Sequence, residues 1–194
     1  MTVGNTPIIA PAIITSLFII FVYVQRTQIY NDALTGLNNR KRLFFMLEAK
    51  IPQVDKEHPM LLYILDANRF KQINDKYAHA EGDNALVSIA ECMMQLAGEY
   101  HIFVARYGGD EFVIIFNSMP ADVFEQKLER IRHSVDILKV DGHPEIHMSV
   151  SIGGAYGMGK PKELFKVADS MMYQAKITKN KAAIRFLDKE ADDI

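Results

Sequence analysis

The chain begins with one long apolar segment and continues with short apolar runs separated by polar, turn-forming residues. Eighteen residues from Pro7 to Val24 carry no charge. A helix of that length rises roughly 27 Å, close to the hydrocarbon thickness of a bilayer at about 30 Å. The segment is apolar on every side of such a helix and not along one stripe alone. The pattern therefore predicts a single membrane-spanning helix.

Two other kinds of segment have a similar pattern, namely a cleaved signal peptide and a buried core helix. A signal peptide is disfavoured because Met1 to Thr6 contains no basic residue and no small-residue cleavage site follows Val24. A core helix is disfavoured because helices at the edge of a soluble core usually keep a polar face. Both alternatives stay open from the sequence alone.

The charges beside the apolar segment predict its orientation. The first charged residue of the chain is Arg26, and Arg40, Lys41 and Arg42 follow it, whereas no charge precedes the segment. An excess of basic residues marks the cytoplasmic side of a membrane helix. We expect a single-pass protein of the cell inner membrane, anchored through residues 7–24, with the remainder of the chain in the cytoplasm.

The rest of the chain alternates between strand and helix patterns. Asn38 or Asn39 can cap a helix at about residue 40. The continuous apolar run at 60–66 is typical of a buried central strand that ends at Asp66. The other predicted elements are helices at 69–77 and 83–96 joined by a turn around Glu81 and Gly82, strands at 101–106 and 111–116 joined by a Gly-Gly turn, a helix at 121–138, a strand at 147–156, a helix at 161–177 and a strand at 183–187. This interleaving predicts an α/β (α+β) sandwich with a mainly antiparallel central sheet covered by helices.

The composition narrows the classes of protein. The chain has 194 residues, with 22 basic and 24 acidic side chains and a net charge of -2. This balance lacks the surplus of positive charge that attracts nucleic acid, so we expect no nucleic-acid partner. Cys92 is the only cysteine, so no intramolecular disulfide can form. These features predict one intracellular domain after the anchor, with segments at 1–30 (anchor and short connector), 31–188 (main domain) and 189–194 (tail).

Three acidic side chains lie where the predicted strands end or begin. Asp66 ends one strand, and Asp110 and Glu111 follow the Gly-Gly turn. If these strands are neighbours the three carboxylates converge, and clustered carboxylates repel one another unless a cation such as Mg²⁺ binds between them. Gly108 and Gly109 would let a ligand approach the backbone closely. A plain hairpin with solvated acids is the alternative at this point.

The string RYGGDEF at 106–112 resembles the signature of the GGDEF family of diguanylate cyclases. Four further segments resemble other blocks of that family in the same order, so the resemblance covers about residues 32–186. These segments are DALTGLNNR at 32–40, LDANRFKQINDKYAHAEGD at 65–83, SVSIGG at 149–154 and ADSMMYQAK at 168–176. The resemblance implies a nucleotidyl-cyclase or polymerase-palm-like fold.

The resemblance also implies roles for individual residues. Asp66, the backbone carbonyl of Ala67, Glu111 and Asp110 would bind Mg²⁺, for which Mn²⁺ could substitute, and Asp110 and Glu111 would be catalytic. Asn74 and Asp83 match the positions that read guanine, and Lys71 and Lys176 match lysines that contact phosphates. The substrate-binding set implied in this way is Asn74, Asp83, Lys71, Lys176, Gly108, Gly109, Phe70 and Arg106.

The implied reaction condenses two GTP molecules into cyclic di-GMP and two pyrophosphates. It requires a homodimer, because each domain would hold one nucleotide. The connector at 25–31 would set the geometry of that dimer, and an unidentified sensor partner could supply the input. The first alternative is a catalytically silent GGDEF domain that serves as a nucleotide receptor or scaffold. The second is a mononucleotide cyclase or polymerase-like palm.

Several positions depart from the family pattern. Asn68 stands where a second Asp is common, and Ala78 replaces a usual glycine. Lys179 or Lys181 would have to replace a phosphate-binding arginine. The segment at 99–102 reads EYHI and lacks the charges of the family's inhibitory product site, so we expect no product inhibition there.

Overall fold

The computed structural model describes residues 9–50, 59–116, 121–157, 160–178 and 182–187. Helices and strands interleave along the chain as the sequence predicts. The elements are α1 (Ile9–Tyr30), α2 (Arg40–Lys50), β1 (Met60–Ala67), α3 (Phe70–Tyr77), α4 (His79–Tyr100), β2 (Phe103–Gly108), β3 (Glu111–Phe116), α5 (Ala121–Asp136), β4 (Lys139–Val140), β5 (His143–His147), β6 (Val150–Gly157), α6 (Pro161–Thr178) and β7 (Ala182–Leu187).

The main sheet has five strands in the order β2-β3-β1-β6-β7. β1 lies at its centre, buried along its whole length, and pairs antiparallel with both β3 and β6. β2 is antiparallel to β3, whereas β7 is parallel to β6. The predicted mainly antiparallel sheet is confirmed, and so is the buried strand that carries Asp66.

Helices cover both faces of the sheet. Leu61, Tyr63 and Leu65 of β1 face a core that is completed by α4 and α5. Leu62 and Ile64 face the opposite core, which is completed by α2 and α6. Because successive side chains of a strand point to opposite faces, the acid that follows Leu65 belongs to the face covered by α2 and α6.

The turn between α3 and α4 differs from the prediction. α4 begins at His79, so Glu81 and Gly82 lie in its first turns and not in a loop before it. The chain reverses one residue earlier, at Ala78, whose φ is 75° and ψ is 162°. The prediction was wrong because an unusual backbone conformation at one residue leaves no mark in the hydrophobic pattern.

The predicted strand at 147–156 is two strands. β6 begins at Val150, and β5 ends at His147 after pairing antiparallel with β4 in a small separate sheet. The sequence analysis missed this second sheet because HPEIH lacks the apolar alternation of an ordinary strand.

The polar residue Asn39 joins α1 to α2. Its backbone N–H donates to the carbonyl of Tyr30 at 2.8 Å, and its side-chain amide donates to the carbonyl of Ile29 at 2.9 Å. Its Oδ1 accepts from the N–H of Arg42 at 3.1 Å, which makes it the N-cap of α2. The predicted connector at 25–31 is therefore helical almost to its end, and Asn39 ties that end to the start of α2 across the turn at 31–39.

α1 is long and apolar enough to cross a membrane. The candidate segment, Pro11–Tyr30, has 20 residues and a mean hydropathy of 1.5, and none of it is buried against the rest of the protein. A core helix would be buried, so that alternative is wrong. Residues 1–8 lie outside the described part of the chain, and they include the predicted start of the anchor at Pro7.

Gly153 lies where β6 passes closest to α6, and it provides a test of this packing. A Cβ at Gly153 would overlap the backbone of Met172 and Ala168, which cannot move without separating helix from sheet. We expect Gly153→Ala to lower the free energy of unfolding by about 3 kcal/mol, in the upper range for overpacked sites.

The matched control is Gly98→Ala on α4, where a Cβ meets nothing within 4 Å. This variant should gain about 0.5 to 1 kcal/mol, because alanine favours the helix. Denaturant unfolding of the full chain in mild detergent, followed by circular dichroism, measures both. Equal stability of the two variants would contradict the packing described for α6.

Candidate active site

The pairing of β1 with β3 brings the predicted acids together. Asp66 lies directly opposite Glu111 in the antiparallel register, so both side chains emerge on the same face of the sheet. The N–H of Ala67 donates to the carbonyl of Asp110 at 3.1 Å, which ties the end of β1 to the start of β3. The convergence predicted for these acids is confirmed.

Burial and mutual repulsion make it unfavourable for Asp66 and Glu111 to be ionised at the same time. Asp66 is buried, with 7% of its surface exposed. Burial raises the pKa of Asp66, a hydrogen bond from Lys176 opposes that rise, and the charge of Asp110 adds to it. Burial also raises the pKa of Glu111, and the charges of Asp66, Asp110 and Asp169 raise it further.

α6 supplies the only cation that the described residues bring into this cluster. Nζ of Lys176 lies 2.7 Å from Oδ2 of Asp66. Asp169, which acts on Glu111, lies seven residues earlier and so on the same side of the helix. The lysine predicted to contact phosphate therefore neutralises one carboxylate, and the others keep an excess of negative charge.

The donor set fits a hard divalent cation. Among the described residues no three His, Cys, Asp or Glu side chains form a preformed metal cage. Mg²⁺ does not need one, because it keeps several waters and binds through one or two carboxylates plus substrate phosphates. Asp66 and Glu111 supply two carboxylates across one strand pair, and burial together with repulsion by neighbouring carboxylates raises the pKa of each, so a further cation would stabilise their charged forms.

A polar network holds the loop that follows β1. The N–H of Asn68 donates to the carbonyl of Ser149 at 2.8 Å, and its side-chain amide donates to the Ser149 hydroxyl at 3.1 Å. The hydroxyl of Ser151 donates to Oδ1 of Asn68 at 2.7 Å. Asn68 thus uses both ends of its amide.

The hairpin turn is held from the side by Arg106. Its guanidinium donates to the carbonyl of Gly109 at 2.8 and 3.0 Å and to Oδ1 of Asp32 at 2.9 Å. Burial of Asp32 is outweighed by hydrogen bonds from Arg106 and Thr35, which lower its pKa below the usual value. Sequence reasoning missed Asp32, although it opens one of the family segments. The substrate contact predicted for Arg106 stays a prediction.

Space is open over the Gly-Gly turn. A Cβ at Gly108 or at Gly109 would meet nothing within 4 Å, and Gly109 has a φ of 51°. The glycines are therefore not required by packing within the domain. A ligand could approach this backbone, as the sequence predicts.

The two residues predicted to read guanine lie beside each other. A Cβ at Gly82 would overlap the amide of Asn74, so that amide packs directly against the residue before Asp83. Oδ1 of Asn74 is buried and accepts no hydrogen bond from the described residues. The ring of Phe70 lies against the same glycine. A buried acceptor without a partner is costly.

A cavity of about 980 Å³ lies at the end of β1. It contains Asp66, Ala67, Phe70, Lys71, Asp110 and Lys176 of the predicted site, whereas Asn74, Asp83, Glu111, Arg106, Gly108 and Gly109 lie outside its lining. The opposite wall comes from β5 and the following loop, including Glu145, His147 and Ser149. Sequence reasoning missed these wall residues because it missed the small sheet.

Of two segments that depart from the family pattern, the structure describes only the one that contains Glu99. Lys179 and Lys181 lie outside the described residues. Glu99, at the position of the inhibitory site's arginine, pairs with Arg130 of α5 at 3.5 Å between exposed side chains. An acid at this position cannot make the contacts of an arginine with a phosphate.

Repulsion by neighbouring carboxylates lowers the stability of the folded chain when Glu111 is ionised. We expect Glu111→Gln to raise the free energy of unfolding by about 0.5 to 1 kcal/mol at pH 7 without divalent cation, because it removes the repulsion by Asp66 and Asp110. The pKa of Glu111 is higher in the folded state than in the unfolded state. As pH rises above about 4.5, the carboxyl therefore ionises first in the unfolded state, and the free energy of unfolding of the wild-type chain falls.

The gain should therefore disappear near pH 4, where the carboxyl is protonated in both states. Glu91→Gln, an exposed site on α4, is the control and should stay within about 0.5 kcal/mol at every pH. Denaturant unfolding between pH 4 and pH 8 measures the difference. Loss of stability in Glu111→Gln at pH 7 would contradict the charge balance.

Ala78 adopts a backbone conformation that glycine accepts and alanine rarely does. We expect Ala78→Gly to raise the thermal midpoint by several degrees, corresponding to about 1 kcal/mol. Ala80→Gly, two residues later in regular helix, should instead cost about 0.5 to 1 kcal/mol. Differential scanning calorimetry compares them, and a loss of stability in Ala78→Gly would contradict the strained turn.

Known proteins are similar to this chain in sequence and in fold. The chain is 34% identical to the diguanylate cyclase DgcM of Escherichia coli K12 over 150 residues, 76% of this chain and 36% of that protein. It is 34% identical to the diguanylate cyclase DosC of the same organism over 169 residues, 84% of this chain and 36% of that protein. The chain thus spans about a third of the length of these curated relatives.

A solved structure has the same architecture across nearly the whole chain. It is the coiled coil and GGDEF domain of DgcB from Caulobacter crescentus, crystallised in complex with c-di-GMP. The TM-score is 0.81 with 27% identity, covering 91% of this chain and 95% of that one. The palm-like fold that the sequence predicts is confirmed.

The family model described as "Diguanylate cyclase, GGDEF domain" matches residues 29–182. This range contains the acid cluster, the Gly-Gly hairpin and every predicted site residue. The match covers most of the chain and agrees with the curated relatives and with the fold. The chain belongs to the GGDEF-domain diguanylate cyclase family.

Proposed function

We propose that this protein is a diguanylate cyclase that condenses two GTP molecules into cyclic di-GMP with release of two pyrophosphates. The observation that carries the proposal is the register of β1 with β3, which sets Asp66 opposite Glu111 beside a cavity large enough for a nucleotide. Family membership supports the substrate and the reaction.

Asp66, Glu111 and the carbonyl of Ala67 would hold Mg²⁺, with Asp110 beside them. The ion, when bound, would neutralise charge on the phosphates and on the attacking oxygen. The protein's own contribution is to hold the attacking oxygen and the phosphate in the relative position and orientation that the reaction needs. Asp110, at the variable acid of the signature, would assist the ion or the loss of the proton from the attacking 3′-hydroxyl.

Lys71 and Lys176 would neutralise the triphosphate. Lys71 is exposed at the cavity, so its ammonium is free to reach a phosphate. Lys176 is held by Asp66 at 2.7 Å, so phosphate contact requires it to leave that carboxylate. A cation between Asp66 and Glu111 would release Lys176, so binding of the cation would favour binding of the triphosphate through charge alone.

Asn74 and Asp83 would select guanine. The carboxylate of Asp83 can accept from N1–H and the amino group of guanine, whereas adenine lacks that donor pair. Asn74 packs against Gly82, directly before this carboxylate, and its amide would pair with the remaining edge of the base once it turns away from Gly82. An enzyme that reads hydrogen bonds in this way rejects a base that leaves these groups unpaired.

The reaction needs two domains face to face, so we propose that the active form is a homodimer. α1 leads into the domain through the bonds of Asn39, which leaves little freedom between anchor and catalytic domain. We further propose that α1 is a single-pass anchor in the cell inner membrane with the catalytic domain in the cytoplasm. Its apolar, unburied surface supports this.

Turnover by the full chain in detergent, with GTP and Mg²⁺, tests the proposal. We expect cyclic di-GMP and pyrophosphate, no product from ATP, and a specific rate that rises with protein concentration. Asp66→Asn and Glu111→Gln should each lower kcat by about 10³ because they remove charge that acts on the reacting groups. Glu91→Gln should leave kcat unchanged.

The products distinguish the alternatives. A folded chain that binds GTP but forms no cyclic dinucleotide at any protein concentration would be a silent nucleotide receptor. Linear or 3′,5′-mononucleotide products would indicate a different palm enzyme. Full activity in Glu111→Gln would contradict the role of the acid cluster. Mass spectrometry of the nucleotides resolves all these outcomes.

A further inference from the structure

Three consecutive basic residues form the first turn of α2. Arg40, Lys41 and Arg42 are all exposed, and no acidic residue occupies that turn. The amino end of a helix carries partial positive charge, so it favours acids and disfavours bases. The charge pattern is therefore unfavourable for α2 itself, and helix stability does not account for it.

The same three side chains contact aromatic rings and not carboxylates. The guanidinium of Arg40 lies 4.5 Å from the ring centre of Tyr107. Lys41 and Arg42 lie 5.7 and 6.0 Å from the ring of Tyr30. Within the described ranges none of the three forms an ion pair. Their positive charges are therefore available to an external anion.

The bonds of Asn39 hold this turn beside the end of α1. Its contacts with Tyr30 and Ile29, both under 3 Å, bring the first turn of α2 to the last turn of the candidate membrane helix. Tyr30 lies six residues beyond Val24, where the uncharged segment ends. That is roughly 9 Å of helix, slightly more than the roughly 5 to 7 Å thickness of one headgroup layer.

Exposed apolar side chains surround the basic turn. Phe45 is 64% exposed, Ile29 42% and Leu34 37%. The ring of Phe45 lies 6.4 Å from that of Tyr30, the same ring that the two cations contact. Cations combined with exposed aromatic and aliphatic side chains are typical of surfaces at the boundary of a bilayer.

We propose that a juxtamembrane patch, formed by Arg40, Lys41, Arg42, Tyr30 and Phe45, binds the anionic phospholipid headgroups of the leaflet into which α1 leads. The inference rests on the anchor proposed above. Charge complementarity identifies the partner, because the cytoplasmic leaflet is negative and the patch carries three cations. Continuity with α1 places the patch against that leaflet. The contact limits how the catalytic domain turns relative to the membrane.

A single tryptophan reports on the patch directly. The chain contains no tryptophan, so Phe45→Trp introduces one fluorophore without background. The full chain carrying Phe45→Trp is placed in phosphatidylcholine nanodiscs, with or without 30% phosphatidylglycerol, and its emission and quenching by brominated lipid are recorded. Ile137→Trp is the control, an exposed site that follows α5 on the opposite layer.

We expect blue-shifted emission and bromolipid quenching of Phe45→Trp in anionic discs only, with no change for Ile137→Trp. Combining Arg40→Gln, Lys41→Gln and Arg42→Gln should abolish the change, since each charge contributes about five-fold to membrane affinity. Lys127→Gln, Arg130→Gln and Lys139→Gln, an equal loss of charge on the α5 layer, should preserve it.

Other outcomes would overturn the inference. Equal quenching in neutral and anionic discs would mean that the apolar side chains act without the charges, and no quenching in either would mean that no contact forms. The same shift with soluble glycerol phosphate would indicate a small-anion site. A chain that does not enter the discs would remove the anchor and the patch together. GTP turnover in detergent is independent of all of these results and tests the cyclase proposal separately.

Discussion

The antiparallel register between β1 and β3 determines the rest of the site. It sets Asp66 opposite Glu111, and it does so because the side chains before Asp66 alternate between two filled cores. A slip by one residue would turn Leu65 and its alternate neighbours out of their core and move the acid to the other face. Hydrophobic packing therefore sets the position of the chemistry at the strand end.

This arrangement costs stability, and the surrounding contacts limit that cost. Lys176 neutralises Asp66, Asn68 anchors the loop after β1, and Arg106 ties the Gly-Gly turn to Asp32. The remaining excess of negative charge is what a divalent cation would balance. In the proposed cyclase, binding of the ion would relieve the repulsion between these carboxylates and so stabilise the folded chain.

Local patterns predicted the central strand, the Gly-Gly hairpin and the long apolar helix α1, because each depends on neighbouring residues. The start of α4 escaped prediction because it depends on the backbone of Ala78, and the β4–β5 sheet escaped because its residues are mostly polar. Of the site, the acids and their convergence followed from strand ends. The contacts of Arg106 with Asp32 and of Lys176 with Asp66 join distant segments, which no local pattern records.

Binding of Mn²⁺ together with a non-hydrolysable GTP analogue, followed by electron paramagnetic resonance, tests the central claim most directly. If Asp66 and Glu111 share a cation, wild-type protein and Glu91→Gln should bind Mn²⁺ with phosphorus coupling from the nucleotide. Asp66→Asn and Glu111→Gln should lose at least ten-fold in Mn²⁺ affinity while remaining folded. Unchanged Mn²⁺ affinity in both variants would contradict the account.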